Sequence, residues 1–369
     1  MENKLVLPHG TVKLPAFFPD GTYGVVRCLD MEDLENCQVQ GIVMNSYHLL
    51  TKPGLATIKA LGGLHHFTGW HRPILTDSGG FQAFSLIHQN PKFGEIRRNE
   101  IVFRPDNSTE KIIFTPEKCI QAQFTYGSDI MMCLDYCTQP DDTDEVHQFS
   151  VEVTVAWAKR CKAEYFVQMK ARQIDPKKRP LLFAIIQGGG SKELRSWCAE
   201  QLKQIGFDGY GFGGWPMDKD GKLIEEILRY TADLMPDETP KYAMGLGKPE
   251  DIGACIKMGY NLFDCVIPTR EARHNRLYVF DSENESDSAN YHYHYIMDDT
   301  YYRDKLPISA DCDCLTCRRY SRAYLRHLYK VGDSLGYRLA TLHNVRFYTQ
   351  LMEKYQAEKN EIENADEKC

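Results

Sequence analysis

The sequence predicts an α/β fold: a (β/α)8 barrel followed by a cysteine-bearing helical segment. Two observations carry this reading. Eight short apolar segments lack the polar alternation of a half-solvated sheet, which is the pattern of strands covered on both faces. Stretches of helical composition separate several of them, as βα units require. A doubly wound sheet is the runner-up for the same pattern.

In order, the apolar segments are residues 16–19, 41–46, 73–77, 129–135, 181–187, 207–214, 241–245 and 262–268. The first follows Pro15 and stops at Asp20, Gly21 and Thr22, a turn sequence. Pro116 after Thr115 predicts a helix start, because proline's fixed φ and missing N–H suit a first turn. Helical composition recurs over 192–205, 222–235 and 249–258. Two insertions interrupt the rhythm. Residues 99–115 place β-prone residues on either side of Pro105 to Ser108 and predict a hairpin. Residues 143–172 predict a long, charged helix. Residues 281–288 hold four acids and three serines and read as an exposed loop, and the chain end reads as a helix running into a mobile tail. The expected division is a barrel over 1–280, with 281–369 packed against it.

Composition narrows the classes. At 43 % hydrophobic residues the chain can bury a sizeable core. No apolar run approaches the roughly 20 residues that cross a bilayer. The N-terminus is too short and polar for a secretory signal, so a soluble, cytoplasmic protein without a membrane partner is expected. Thirteen cysteines, an odd number and mostly dispersed, favour reduced thiols over a disulfide framework. The net charge, 44 − 51 = −7, argues against indiscriminate nucleic-acid binding and leaves room for a local basic surface.

Barrel chemistry sits where strands end. Those positions hold Asp77, followed by Ser78, Gly79, Gly80 and Phe81; Asp135; Gln187; Gly213 and Gly214; and Asp264. One such aspartate is commonly a cap. All of them capping would leave the mouth lined with uncompensated negative charge. Asp264 interrupts an apolar run that breaks at Pro268 into a basic loop with Arg270, Arg273 and Arg276. It is either a paired aspartate or a nucleophile facing an anionic substrate gripped by the arginines. Two carboxylates serve cleavage at an acetal-like carbon, one attacking while the other moves a proton. A further carboxylate beside a carboxamide suits a flat heterocycle such as guanine, which presents adjacent N–H groups and a carbonyl on one edge. Gly79, Gly80, Gly213 and Gly214 let backbone approach such a ring. The run Gly188 to Gly190 lacks the Lys-Ser/Thr ending of a phosphate loop.

Cys312, Cys314 and Cys317, followed by His343 after a helical interval, have the ligand number and type of a structural tetrahedral zinc site. His343 is expected just inside a helix starting near Leu339, and His327 is the competing fourth ligand. Residues 312–346 carry seven Lys/Arg against two Asp. Arg318, Arg319, Arg322, Arg326 and Lys330 recur at helical spacing with Tyr320 and Tyr324 among them. This is either a solvated helix face or a phosphate-binding strip.

Together these stretches resemble the tRNA-guanine transglycosylases (queuine tRNA-ribosyltransferases) of the bacterial and eukaryotic type. The matching stretches begin at Asn45, Asp77, Gly127, Ile186, Met244, Phe263, Cys312 and Tyr320, and end with His343 and Asn344; they run in order along nearly the whole chain. The resemblance implies a TIM barrel with a zinc-binding subdomain, a homodimer, and one structural Zn2+ per chain on Cys312, Cys314, Cys317 and His343. It assigns Asp264 as nucleophile and Asp77 as general acid/base. Ser78, Gly79, Gly80, Asp135, Gln187 and Gly214 line the base pocket, with Phe81 and Met244 sandwiching the base. Gly245, Leu246, Gly247, Lys248, Pro249, Glu250 and Asp251, with Thr269, Arg270, Glu271, Ala272 and Arg273, would hold the anticodon. The implied reaction replaces guanine at the first anticodon position of tRNA with a 7-deazaguanine, preQ1 or queuine. The sequence departs from the family at Tyr136, at 215–219 and at His274. A non-catalytic RNA-binding subunit and a nucleoside hydrolase on the same barrel are the rival readings.

Overall fold

The computed structural model describes residues 3–104, 111–281 and 290–366, with side chains as far as 361. Each of the eight apolar segments contains a strand: β1 (Ala16–Pro19), β2 (Ile42–Met44), β3 (Ile74–Thr76), β4 (Ile130–Met132), β5 (Leu181–Ile186), β6 (Gly209–Phe212), β7 (Lys241–Ala243) and β8 (Leu262–Cys265). Neighbours in sequence pair in parallel from β2 to β8, and β8 pairs with β1. A parallel bridge between Asp20 and Val43 brings β1 back to β2 and closes the ring.

The lumen is filled by Phe18, Leu75, Ile130, Met132, Phe183 and Leu262. Two glycines make room for its largest rings. A Cβ on Gly41 would lie 2.4 Å from Phe18, and one on Gly209 would lie 2.5 Å from Phe183. An N-terminal hairpin, Lys4–Leu7 with Gly10–Lys13, adds Leu5, Leu7 and Val12 to this core. Outside the ring, the helices begin where their caps predict. Thr115 accepts from Lys118 N before the helix Pro116–Tyr126, and Thr143 accepts from Val146 N before Asp144–Ala171. The inserted hairpin pairs Ile101–Phe103 with Ile112–Phe114, and Gly94–Ile96 adds a third strand. Its tip, 105–110, and the acidic stretch 282–289 lie outside the described residues.

Three sequence expectations change. The segment after Pro268 is a helix, Ile267–Arg273, rather than a basic loop, since proline occupies its first turn at no hydrogen-bonding cost. The last helix starts at Ser334, five residues before Leu339, so His343 sits inside it. The basic strip is broken at Tyr320 and Ser321 into Leu315–Arg319 and Arg322–Val331. Arg322 and Arg326 are spent on Asp304 and Asp299.

The C-terminal helices are not held at arm's length. Cys312, Leu325, Leu328, Leu339 and Val345 share one core with Val26, Leu34, Ile42 and Trp70 from the first βα units. Arg338 forms a fork on Asp33 at 2.6 and 2.7 Å, and Tyr348 donates to the Gly247 carbonyl at 2.6 Å.

Candidate active site

Beyond the C-terminal ends of the strands lies a cavity of about 360 Å3, lined among others by Asp77, Ser78, Gly79, Phe81, Asp135, Gln187, Gly214, Met244 and Asp264. That volume is in the range of small-molecule sites. Three aspartates that are remote in sequence thus meet at one hollow.

Each is held by neutral donors. Asp77 Oδ1 accepts from Ser46 N at 2.7 Å and Gly79 N at 3.0 Å, and its Oδ2 accepts from Asn45 Nδ2 at 2.5 Å. Gly79 has φ +77°, and a Cβ there would lie 2.9 Å from Tyr47 N, so only glycine makes this turn. Burial pushes the Asp77 carboxyl up to about 7, and the charges of Asp264 and Asp20 add to the rise. Asp264 Oδ1 accepts from the Tyr242 hydroxyl and from Gly245 N, both at 2.7 Å. Burial raises this carboxyl to about 6, against the lowering effect of those two bonds. Asp135 is buried, its Oδ2 accepts from Gln187 Nε2 at 2.7 Å, and burial raises it too. Gln187 Oε1 is buried without a hydrogen-bond partner. A buried amide oxygen left bare is costly, so this one is poised for a ligand N–H.

Phe81, half exposed, sits edge-on to Trp215 with ring centroids 5.7 Å apart, and Trp215 Nε1 donates to Thr138 O at 3.2 Å. Tyr136 turns away, packing on Phe149 and Trp157, and the cavity wall beside Asp135 is Cys137 instead. Gly80 is buried beside Leu134 and does not line the cavity.

The two segments expected to meet a nucleic acid lie by the same mouth. Leu246, Gly247, Pro249, Thr269, Glu271 and Ala272 are buried; Gly245, Lys248, Glu250 and Arg270 are exposed, and Asp251 and Arg273 are half-buried. Glu271 is spent on Arg276 and Arg270. Arg273 is lowered by burial and by the nearby cations Arg27 and Arg270. Sequence reasoning missed Arg27, and it missed Asn45, Ser46 and Tyr242 as the holders of Asp77 and Asp264. A polar residue at the end of β2 was the available signal for Asn45. For Tyr242, inside an apolar strand, there was none.

Cys312, Cys314, Cys317 and His343 converge with all ligand atoms within 4.8 Å of one another, a group that could hold a metal ion. His343 Nε2 lies 2.6 Å from the Tyr278 carbonyl, which fixes it as the protonated nitrogen. Nδ1 then turns its lone pair to the thiols, 3.2 Å from Cys317 Sγ and 3.8 Å from Cys314 Sγ. That is the orientation a metal-bound histidine needs.

A model of the queuine tRNA-ribosyltransferase family matches residues 3–364. The chain belongs to that family, whose members are tRNA-guanine transglycosylases. Among its relatives, the queuine tRNA-ribosyltransferase of Halothermothrix orenii is 42 % identical over 352 residues, 95 % of this chain and 88 % of that protein. Those of Acinetobacter baumannii ATCC 17978 and Acinetobacter baylyi are each 40 % identical, covering 95 % and 94 % of this chain and 87 % and 85 % of theirs. No helix among the described residues is long and apolar enough to cross a membrane. Fold class and family were therefore both legible in the transglycosylase motifs of the sequence.

Proposed function

We propose that this chain exchanges guanine at the first anticodon position of tRNA for a 7-deazaguanine, preQ1 or queuine, through a covalent enzyme–RNA intermediate. The observation that supports it is the meeting of Asp264 and Asp77 at one cavity whose wall also carries Asp135 and Gln187. Asp264 attacks C1′ of the ribose as the bond from C1′ to guanine breaks, and the carboxylate becomes an ester. Tyr242 and Gly245 occupy its Oδ1, so Oδ2 is the attacking atom. Asp77 gives its proton to the departing guanine and takes one from the incoming base, which then displaces Asp264 from C1′. Values of about 6 and about 7 let the first be ionised while the second is still protonated. Asp135 and Gln187, with the Gly214 amide, read the base between Phe81 and Met244; Ser78 and Gly79 complete the pocket.

The segments 245–251 and 269–273 hold the anticodon loop, where a base is splayed out more cheaply than from a duplex. Lys248, Arg270 and Arg273, joined by Arg27, contact phosphates. Cys312, Cys314, Cys317 and His343 hold one structural Zn2+, which ties the Leu315–Arg319 turn to the last helix. The barrel, 1–280, is the catalytic part and 281–369 the zinc-binding part. Family resemblance supports a cytoplasmic homodimer.

The test is a denaturing gel of enzyme with an anticodon minihelix. A covalent adduct that vanishes in Asp264→Asn is expected. An undiminished adduct removes Asp264 as nucleophile, and release of free base from a mononucleoside without RNA would favour a hydrolase.

A further inference from the structure

Arg195 is a large cation in an unusual place. It is 1 % exposed, and among the described residues no carboxylate pairs with it. Burial lowers it to about 10, so it stays charged at neutral pH. An isolated buried charge is among the costliest features a fold can carry, and it persists where its hydrogen bonds do something that apolar packing does not. All three nitrogens of its fork are engaged. Nε donates to Gly189 O at 2.8 Å, Nη1 to Ile186 O at 3.2 Å and Nη2 to Gly213 O at 3.0 Å. The guanidinium also lies 4.2 Å over the Phe212 ring.

Two of those acceptors belong to the peptide units that enter Gln187 and Gly214, which both line the cavity. In a planar trans peptide the carbonyl of one residue and the N–H of the next point in opposite directions. Holding Gly213 O on Arg195 therefore aims the Gly214 N–H away from the guanidinium. A cation on the carbonyl also draws charge from the amide and makes that N–H a stronger donor. The Ile186–Gln187 peptide is gripped at both ends by one helix. Arg195 takes its carbonyl, and Cys198, one turn on, receives the Gln187 N–H. Gly214 has φ +95°, and a Cβ on it would meet Arg195 Nη2 only at 3.7 Å, so the backbone twist and not crowding demands glycine.

We infer that Arg195 is a positioning residue that sets, from outside the cavity, the two groups that read the base: the Gln187 carboxamide and the Gly214 amide. The aimed Gly214 N–H recognises a substrate carbonyl, and the bare Gln187 Oε1 recognises a substrate N–H. The inference rests on the base-exchange reading of the cavity. It predicts a specific defect. In exchange of labelled guanine into tRNA, Arg195→Met should raise KM for free guanine about tenfold, the loss expected when one aimed polar contact is misaligned, while kcat at saturating base falls less than threefold. Arg195→Lys keeps the charge but reaches fewer carbonyls and should recover part of that KM.

Thermal unfolding is followed for both variants. A purely structural arginine would lower the melting temperature and the active fraction, and so kcat, with KM unchanged; that result overturns the inference. So does failure of both variants to fold. Wild-type enzyme that exchanges no guanine would instead sink the proposed reaction, which keeps the two failures distinct.

Discussion

The two ends of this barrel treat buried aspartates in opposite ways. At the end where strands begin, Asp129 immediately precedes β4 and Asp208 immediately precedes β6. Asp208 is clasped by the fork of Arg179 at 2.5 and 2.6 Å. Asp129, fully buried, accepts from Ile74 N and His9 N, both at 2.9 Å, and faces the imidazoles of His9 and His65 at 2.9 and 3.3 Å. Burial alone would raise both carboxyls, yet the bonds from Arg179, and from His65 and His9, leave them below the usual carboxylate value. At the mouth, Asp77, Asp135 and Asp264 have only neutral donors, and burial wins: all three are raised. One end uses charge to hold strands together; the other raises its carboxyls, and Asp77 and Asp264 exchange a proton near neutrality.

The contrast breaks most visibly on substitution to asparagine. Asp264→Asn should cost on the order of 10^4-fold in exchange rate, as loss of a nucleophile does. Asp77→Asn should cost roughly 10^2–10^4-fold, the worth of a general acid. Asp264→Asn should not lower the melting temperature, because both of its donors bind Oδ1, and the variant keeps that oxygen while removing a buried charge. Asp129→Asn should do the reverse. His9 N binds Oδ1 and Ile74 N binds Oδ2, so the asparagine NH2 puts donor against donor at one of them, and the ionic contacts are lost. We expect about 3 kcal/mol of destabilisation in urea titration with KM for guanine unchanged. A stable Asp129→Asn, or an unstable Asp264→Asn, would remove the distinction between the two ends.

The same contrast explains what the sequence could reveal. Strand-end aspartates are visible because each interrupts or ends an apolar run, so the cavity's acidic members were legible before any coordinates. Their holders were not. Tyr242 reads as one more apolar strand residue, since nothing local says that its hydroxyl reaches Asp264 across the β7–β8 pair. Arg195 reads as one charged residue of an amphipathic helix, because burial without a partner carboxylate is a tertiary fact. The helix after Pro268 was misread for a related reason: a proline that ends a strand also starts a helix well. The shared core of Cys312, Leu325 and Val345 with Val26 and Trp70 joins opposite ends of the chain, beyond any local pattern.

A smaller effect sharpens the comparison at the mouth itself. The Tyr242 hydroxyl is one of two donors that favour the ionised form of Asp264, opposing the rise caused by burial. Removing it in Tyr242→Phe should raise the carboxyl further. One neutral hydrogen bond contributes about 1 kcal/mol, and 1.36 kcal/mol is one pH unit, so the shift should be roughly half to one unit. The folded value, about 6, already lies above the ordinary 3.8. Protonated Asp264 thus favours the folded state, and its ionisation costs stability progressively as pH rises from the ordinary value through the folded one. Two readouts should move together. The acid limb of kcat/KM, which reports ionisation of the nucleophile, should shift to higher pH by that half to one unit. The fall in unfolding free energy attributable to Asp264 should extend to correspondingly higher pH. Asp129 has the opposite sign, with stability lost as pH falls through its lowered value, so its acid transition should stay where it is in the Tyr242→Phe variant. An acid limb that does not move would mean that Gly245 N alone holds Asp264 ready, and that the tyrosine serves only to fill the β7–β8 wall.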